Sequence, residues 1–94
     1  MENKIVSDEM LVEQYQKSED NFFLEQLIKR YTPLIKDVLL LYKVPKQDYE
    51  DGRQEVLLQF IKLVKKYHPG ELTFEEYIKD KLKNKYRKYI RRNY

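Results

Sequence analysis

Apolar residues return at helical spacing in four successive blocks. The first block is short. Ser7-Asp8-Glu9-Met10 offers an N-cap oxygen followed by acids that favour a helix start, predicting a helix over about 8–16. Met10 and Leu11 point inward in this reading, with Tyr15 a further inward candidate. Ser18-Glu19-Asp20 predicts a turn, after which Asp20 or Asn21 caps a long helix. There Phe23, Leu24, Leu27, Ile28, Tyr31, Leu34, Ile35, Val38, Leu39 and Tyr42 share one stripe. Pro33 lies inside that run and removes a backbone donor, so a bend or restart is expected near Tyr31-Thr32.

Val44-Pro45-Lys46-Gln47-Asp48 reads as a loop, with Asp48 as N-cap of a third helix over about 49–66. Its inward positions are Val56, Leu57, Phe60, Ile61, Leu63 and Val64, and its first turn carries Glu50 and Asp51, which complement the helix dipole. Tyr67-His68-Pro69-Gly70 ends it. Thr73 then caps a last helix, and Glu76 three residues on completes a capping box. That helix runs to about Arg92. Ile78, Leu82, Tyr86 and Tyr89 share one face of it, and Lys79, Lys83, Arg87 and Arg91 form a stripe on another. The expected fold is all-α, a compact bundle of about four helices formed by residues 1–94 as a single domain.

Composition agrees. Only two glycines and three prolines interrupt 94 residues, and helix formers dominate between them. With no cysteine, disulfides and thiolate zinc sites are excluded, and the single histidine, His68, cannot build a histidine metal site. No apolar run approaches the roughly 20 residues of a membrane span, and the acidic, polar start MENKIVSDEM is unlike a signal peptide. A cytoplasmic protein without membrane association or cofactor is expected.

Charge changes the picture more than composition does. Residues 79–94 carry eight Lys and Arg against one Asp, whereas residues 1–78 carry eleven against fifteen Asp and Glu. The whole-chain net charge of +3 conceals this split. A basic end points to a polyanion, nucleic acid first, and Tyr77, Tyr86, Tyr89 and Tyr94 among the cations supply rings of the kind unpaired bases stack on. The same charges also suit a plain solvated helix face.

Three stretches narrow the choice. The first is Ser7-Asp8-Glu9-Met10-Leu11, then Ser18-Glu19-Asp20, then Phe23-Leu24-Glu25-Gln26-Leu27 and Arg30-Tyr31. The second is Tyr49-Glu50-Asp51-Gly52-Arg53-Gln54-Glu55-Val56-Leu57-Leu58. The third is Tyr67-His68-Pro69, Phe74-Glu75-Glu76-Tyr77-Ile78, Asn84 and Arg91-Arg92. Their order and spacing resemble region 2 of bacterial RNA polymerase sigma factors of the sigma-70 superfamily, most closely the small extracytoplasmic-function type, over about residues 7–92.

The resemblance implies a transcription initiation module. Positions resembling Asp51, Gln54 and Glu55 dock on the coiled coil of the polymerase β′ subunit, and exposed carboxylates with an amide suit pairing to arginines there. The last helix resembles the element that recognises and melts the promoter −10 element on the non-template strand. By position Tyr77, Lys79, Lys83, Asn84, Arg87 and Arg91 would meet DNA. Phe74 also resembles an aromatic of that segment, although ordinary core packing explains it better. No region 4 helix-turn-helix domain is expected within residues 1–94, so the chain reads either as a fragment of a longer factor or as a one-domain protein whose partner bears region 4; an anti-sigma factor is another candidate partner.

There are departures. Where primary sigma factors carry paired tryptophans stand Asp80 and Lys81. Gly52 stands where leucine or isoleucine is usual, a residue about 1 kcal/mol worse than alanine inside a helix. The segment between Tyr67 and Phe74 is short for a base-selecting loop. A second reading is a protein-interaction module that binds β′ or an anti-sigma factor, or is one half of a split sigma factor, without reading DNA. A third is an unrelated helical nucleic-acid binder. No catalytic constellation, metal spacing or phosphate-cradling glycine loop is present, so an enzyme is not expected.

Overall fold

The computed structural model describes residues 6–42 and 45–93, as four α-helices: α1 (Asp8–Ser18), α2 (Asn21–Leu40), α3 (Tyr49–Lys66) and α4 (Phe74–Asn93). No strand occurs among the described residues. Val44 of the expected loop and Tyr94 lie outside them.

Local signals set the helix ends. The Ser7 hydroxyl accepts the Met10 amide at 3.1 Å, and Glu19, left-handed at φ 56°, closes α1 by donating its amide to the Tyr15 carbonyl at 2.7 Å. Asp20 caps α2 by accepting from the Phe22 amide at 3.0 Å. At α4 the capping box forms in both directions: the Glu76 amide donates to the Thr73 hydroxyl at 3.2 Å, and the Thr73 amide to the Glu76 carboxylate at 3.0 Å.

Three expectations are corrected. Met10 does not face inward; it is 52% exposed, and α1 buries Leu11, Val12 and Tyr15 instead. Those three fix the inward line of α1, and Met10, a hundred degrees back from Leu11, falls on the far side of it. Asp48 makes no side-chain cap on α3, because a short 3-10 turn, Lys46–Asp48, feeds the chain directly into that helix. α2 does not restart at Pro33 but runs on through it, with the proline exposed and the Thr32 hydroxyl donating to the Ile28 carbonyl at 2.8 Å beside it.

The core draws on all four helices. Leu27, Val56, Phe60, Val64, Phe74, Ile78, Leu82 and Tyr86 are wholly buried. α1 packs chiefly on α2 and α3 on α4, with α2 against α3 joining the two pairs. Aromatic rings fill the centre: Phe74 meets Tyr31, Phe60 and Tyr67 edge-on, with ring centroids 5.3–6.3 Å apart.

Polar side chains pin α1 across this core. The Asp8 carboxylate holds Arg30 at 2.8 Å and accepts the Tyr31 hydroxyl; Glu9 accepts the Phe74 amide, the first of α4, at 2.7 Å. The Gln16 amide donates to the carbonyls of Val64 at 2.9 Å and Tyr67 at 2.8 Å, satisfying acceptors that the end of α3 leaves without helical partners.

Candidate functional site

Two charged surfaces stand out, one on α3 and one on α4. At the start of α3 Gly52 turns inward, and its missing side chain matters. A Cβ there would lie 2.6 Å from the Tyr86 hydroxyl oxygen and 3.3 Å from Leu39 Cδ1. The glycine therefore lets α4 close against α3 at this point. With Gly52 and Val56 inward, Asp51, Gln54, Glu55 and Leu58 fall to the outer side. Asp51 and Gln54 are exposed; Glu55 is half-buried, its carboxylate accepting from the Gln59 amide at 2.6 Å. Leu58, one turn beyond Gln54, is 45% exposed. An exposed leucine one turn beyond an amide and a carboxylate, with Lys62 one turn further on, has the make-up of a protein contact, apolar beside polar groups.

On α4 the inward line is Phe74, Ile78, Leu82 and Tyr86, so the stripe Lys79, Lys83, Arg87, Arg91 faces solvent. Lys79 pairs with Glu75 at 2.9 Å, but both are well exposed, and such a pair opens readily. Lys83, Arg87 and Arg91 make no ion pair among the described residues. Asn84 is half-buried, with a long contact of 3.4 Å from its amide to Asp80. Arg87 and Asn84 line a shallow hollow with Lys81, Lys85 and Lys88.

The tyrosines divide. Tyr77 is half-buried; its hydroxyl donates to the Leu63 carbonyl at 3.0 Å, its ring lies 5.0 Å from Tyr67, and burial pushes its pKa up. It also packs against Phe74, with ring centroids 6.1 Å apart, so only part of the ring remains for an outside partner. Tyr86 is wholly buried and Tyr89 stacks on it at 5.8 Å. Burial raises both pKa values, and the carboxylates of Glu55, Asp51 and Asp48 raise that of Tyr89 further. Tyr86 and Tyr89 of α4 thus lie against the acidic start of α3. Phe74 is core, as its packing role requires.

Three residues escaped the sequence. Leu58 belonged to no inward stripe, and an apolar side chain left over from a stripe was the available sign. Lys62 and Lys66 were lost because counting charge by stretch folded them into the acidic part of the chain. They stand one turn apart on α3 and share a furrow with Lys85, Lys88 and Arg92 of α4.

Among the described residues no cluster of His, Cys, Asp or Glu is suited to a metal, and no helix is long and apolar enough to cross a membrane. A family model described as Sigma-70 region 2 matches residues 27–94, more than two thirds of the chain. Neither curated proteins nor solved structures gave a match.

Proposed function

The chain belongs to the sigma-70 region 2 family, and from that premise we propose that it docks on the β′ coiled coil of core RNA polymerase through α3 and meets the promoter −10 element through α4. At family level the domain is a non-catalytic part of transcription initiation that binds polymerase and recognises promoters. On α3, Asp51, Gln54 and Glu55 form the docking face with the exposed Leu58 beside them. Carboxylates and an amide there accept from and pair with basic residues at the partly desolvated edge of a contact, while the leucine supplies apolar area.

On α4, Lys83, Arg87 and Arg91 present unpaired cations to the phosphates of the non-template strand, and Lys79 joins them when its exposed pair with Glu75 opens. Asn84 lies between them with an amide free to meet a base edge once its long contact to Asp80 is released. Tyr77 acts from beneath, half-buried while its hydroxyl anchors α4 to α3. The observation that carries the reading is that the family match spans both α3 and α4.

Anisotropy of a labelled −10 non-template strand, measured with core polymerase present, tests the DNA half. The chain is expected to bring the strand onto polymerase, and Lys83→Ala/Arg87→Ala/Arg91→Ala to abolish this while still binding polymerase. Strand binding unaffected by the triple substitution would refute the role of α4.

A further inference from the structure

Residues 68–73, which join α3 to α4, are all exposed and include a proline and a glycine. None of them enters the core, so the stretch has no apolar anchor of its own to order it. It is nevertheless tied at both ends by side chains of one helix, α1. At the α3 end the Gln16 amide donates to the carbonyls of Val64 at 2.9 Å, Lys65 at 3.3 Å and Tyr67 at 2.8 Å. At the α4 end the Glu9 carboxylate accepts the Phe74 amide at 2.7 Å. Across the stretch, the hydroxyl of the buried Tyr67 donates to the Leu72 carbonyl at 2.8 Å.

Glu9 and Gln16 stand two turns apart on α1 and share one face of it, about 10 Å from one to the other. A single rigid helix thus spans from the end of α3 to the start of α4. α1 is itself fixed elsewhere, by Leu11, Val12 and Tyr15 in the core and by Asp8 on Arg30 of α2. The brace therefore does not depend on the connection that it orders. Phe74, Ile78 and Leu82 already seat α4 in the core. What Glu9 and Gln16 add is the conformation of the connection and of the first turn of α4, which carries Tyr77 and leads into Lys79. A surface ordered in advance is spared the entropy that ordering would cost on binding. We propose that Glu9 and Gln16 are positioning residues for the promoter strand: from α1 they hold the α3–α4 connection and the first turn of α4 in the conformation that the strand takes up. The proposal rests on the reading of α4 as the strand-binding helix, and it requires neither residue to touch DNA.

The sign of the effect separates positioning from charge. Removing the Glu9 carboxylate takes a negative charge from the chain, which by charge alone would tighten its hold on a polyanion. Positioning predicts the reverse. The test is anisotropy of a labelled −10 non-template strand against the preformed complex of the whole chain with core polymerase, repeated across salt concentrations. Glu9→Ala and Gln16→Ala are each expected to weaken strand binding about fivefold. The slope of log affinity against log salt is expected to stay at its wild-type value, because the same phosphate contacts form once the surface has been ordered. Glu9→Gln, whose side-chain carbonyl can still accept the Phe74 amide, is expected to bind as wild type does. Lys83→Ala, a contact residue in the α4 reading, is expected to weaken binding and to lower the slope by about 0.7. Val38→Ala empties core volume near the other end of α2 and is expected to lower Tm without weakening the strand. All variants are compared at a temperature where circular dichroism shows each of them folded. Unchanged strand affinity in both Glu9→Ala and Gln16→Ala overturns the proposal and leaves the two bonds to stability alone. Tighter binding by Glu9→Ala overturns it in favour of charge, an equal loss in Val38→Ala in favour of general destabilisation, and a lowered slope in Gln16→Ala in favour of direct contact. A wild-type complex that holds no strand overturns the α4 reading and this proposal with it, whereas wild-type binding that Lys83→Ala weakens and the α1 variants do not overturns this proposal alone.

Discussion

At the scale of single residues the sharpest case is Gly52. By helix propensity alone, alanine there would be about 1 kcal/mol better. The Tyr86 hydroxyl, 2.6 Å from where a Cβ would stand, reverses the sign, because that ring is wholly buried and has nowhere to move. Gly52→Ala is expected to destabilise the fold by about 1–3 kcal/mol, the usual cost of overpacking, read as a lowered Tm. The Tyr86 hydroxyl has no hydrogen-bond partner among the described residues. Tyr86→Phe is therefore expected to be neutral or stabilising, since it removes a buried unpaired polar group and opens the space. In Gly52→Ala/Tyr86→Phe most of the loss should return, a coupling that a double-mutant cycle measures. Additive effects would mean that the two side chains do not meet. The sequence showed the glycine as a departure from a pattern, but its reason lies 34 positions away on another helix, beyond the reach of periodicity.

At the scale of elements, helix positions were legible because caps and stripes are local. Thr73 with Glu76, Asp20 and Ser7 each act within three residues of themselves. Asp48 does stand at the N-cap position of α3, but its side chain makes no capping bond there, because the 3-10 turn that precedes the helix sets its backbone. What joins α1 to the rest was not legible. Glu9 on the Phe74 amide and Gln16 on the end of α3 span 65 and 51 positions. Gln16→Ala removes the donor for the Val64 and Tyr67 carbonyls and is expected to cost about 1–3 kcal/mol, measured by denaturant unfolding. Hydrogen exchange should show the loosening concentrated at the end of α3 and in α1; uniform loosening would speak against a local clamp.

At the scale of the whole molecule, the basic end of the sequence becomes a surface shared by two helices, and Tyr86 and Tyr89 of α4 lie against the acidic start of α3. The candidate site was half legible: the α4 stripe follows from spacing within one helix, whereas the furrow needs α3 packed against it. The same packing sets an alkaline limit. Burial raises the pKa of Tyr31, Tyr67, Tyr77, Tyr86 and Tyr89 above the ordinary 10.0. The unfolded chain then releases these protons first, so stability holds in full below pH 10 and falls as pH climbs towards the folded values. Alkaline titration followed by circular dichroism and tyrosine absorbance should show ionisation and unfolding together; ionisation near 10.0 with the helices intact would show the rings to be freely solvated.

Docking through α3 is tested most directly by capture of core RNA polymerase, or of its β′ coiled-coil fragment, with the wild-type chain and with Gln54→Ala/Glu55→Ala. Both side chains lie outside the core, so the variant is expected to keep its helices and its Tm. Capture by wild type that the variant loses is the expected result, and Leu58→Ala should weaken it in the same direction. Wild type that captures neither polymerase nor the fragment, or a double variant that captures as well as wild type, would contradict the α3 docking face.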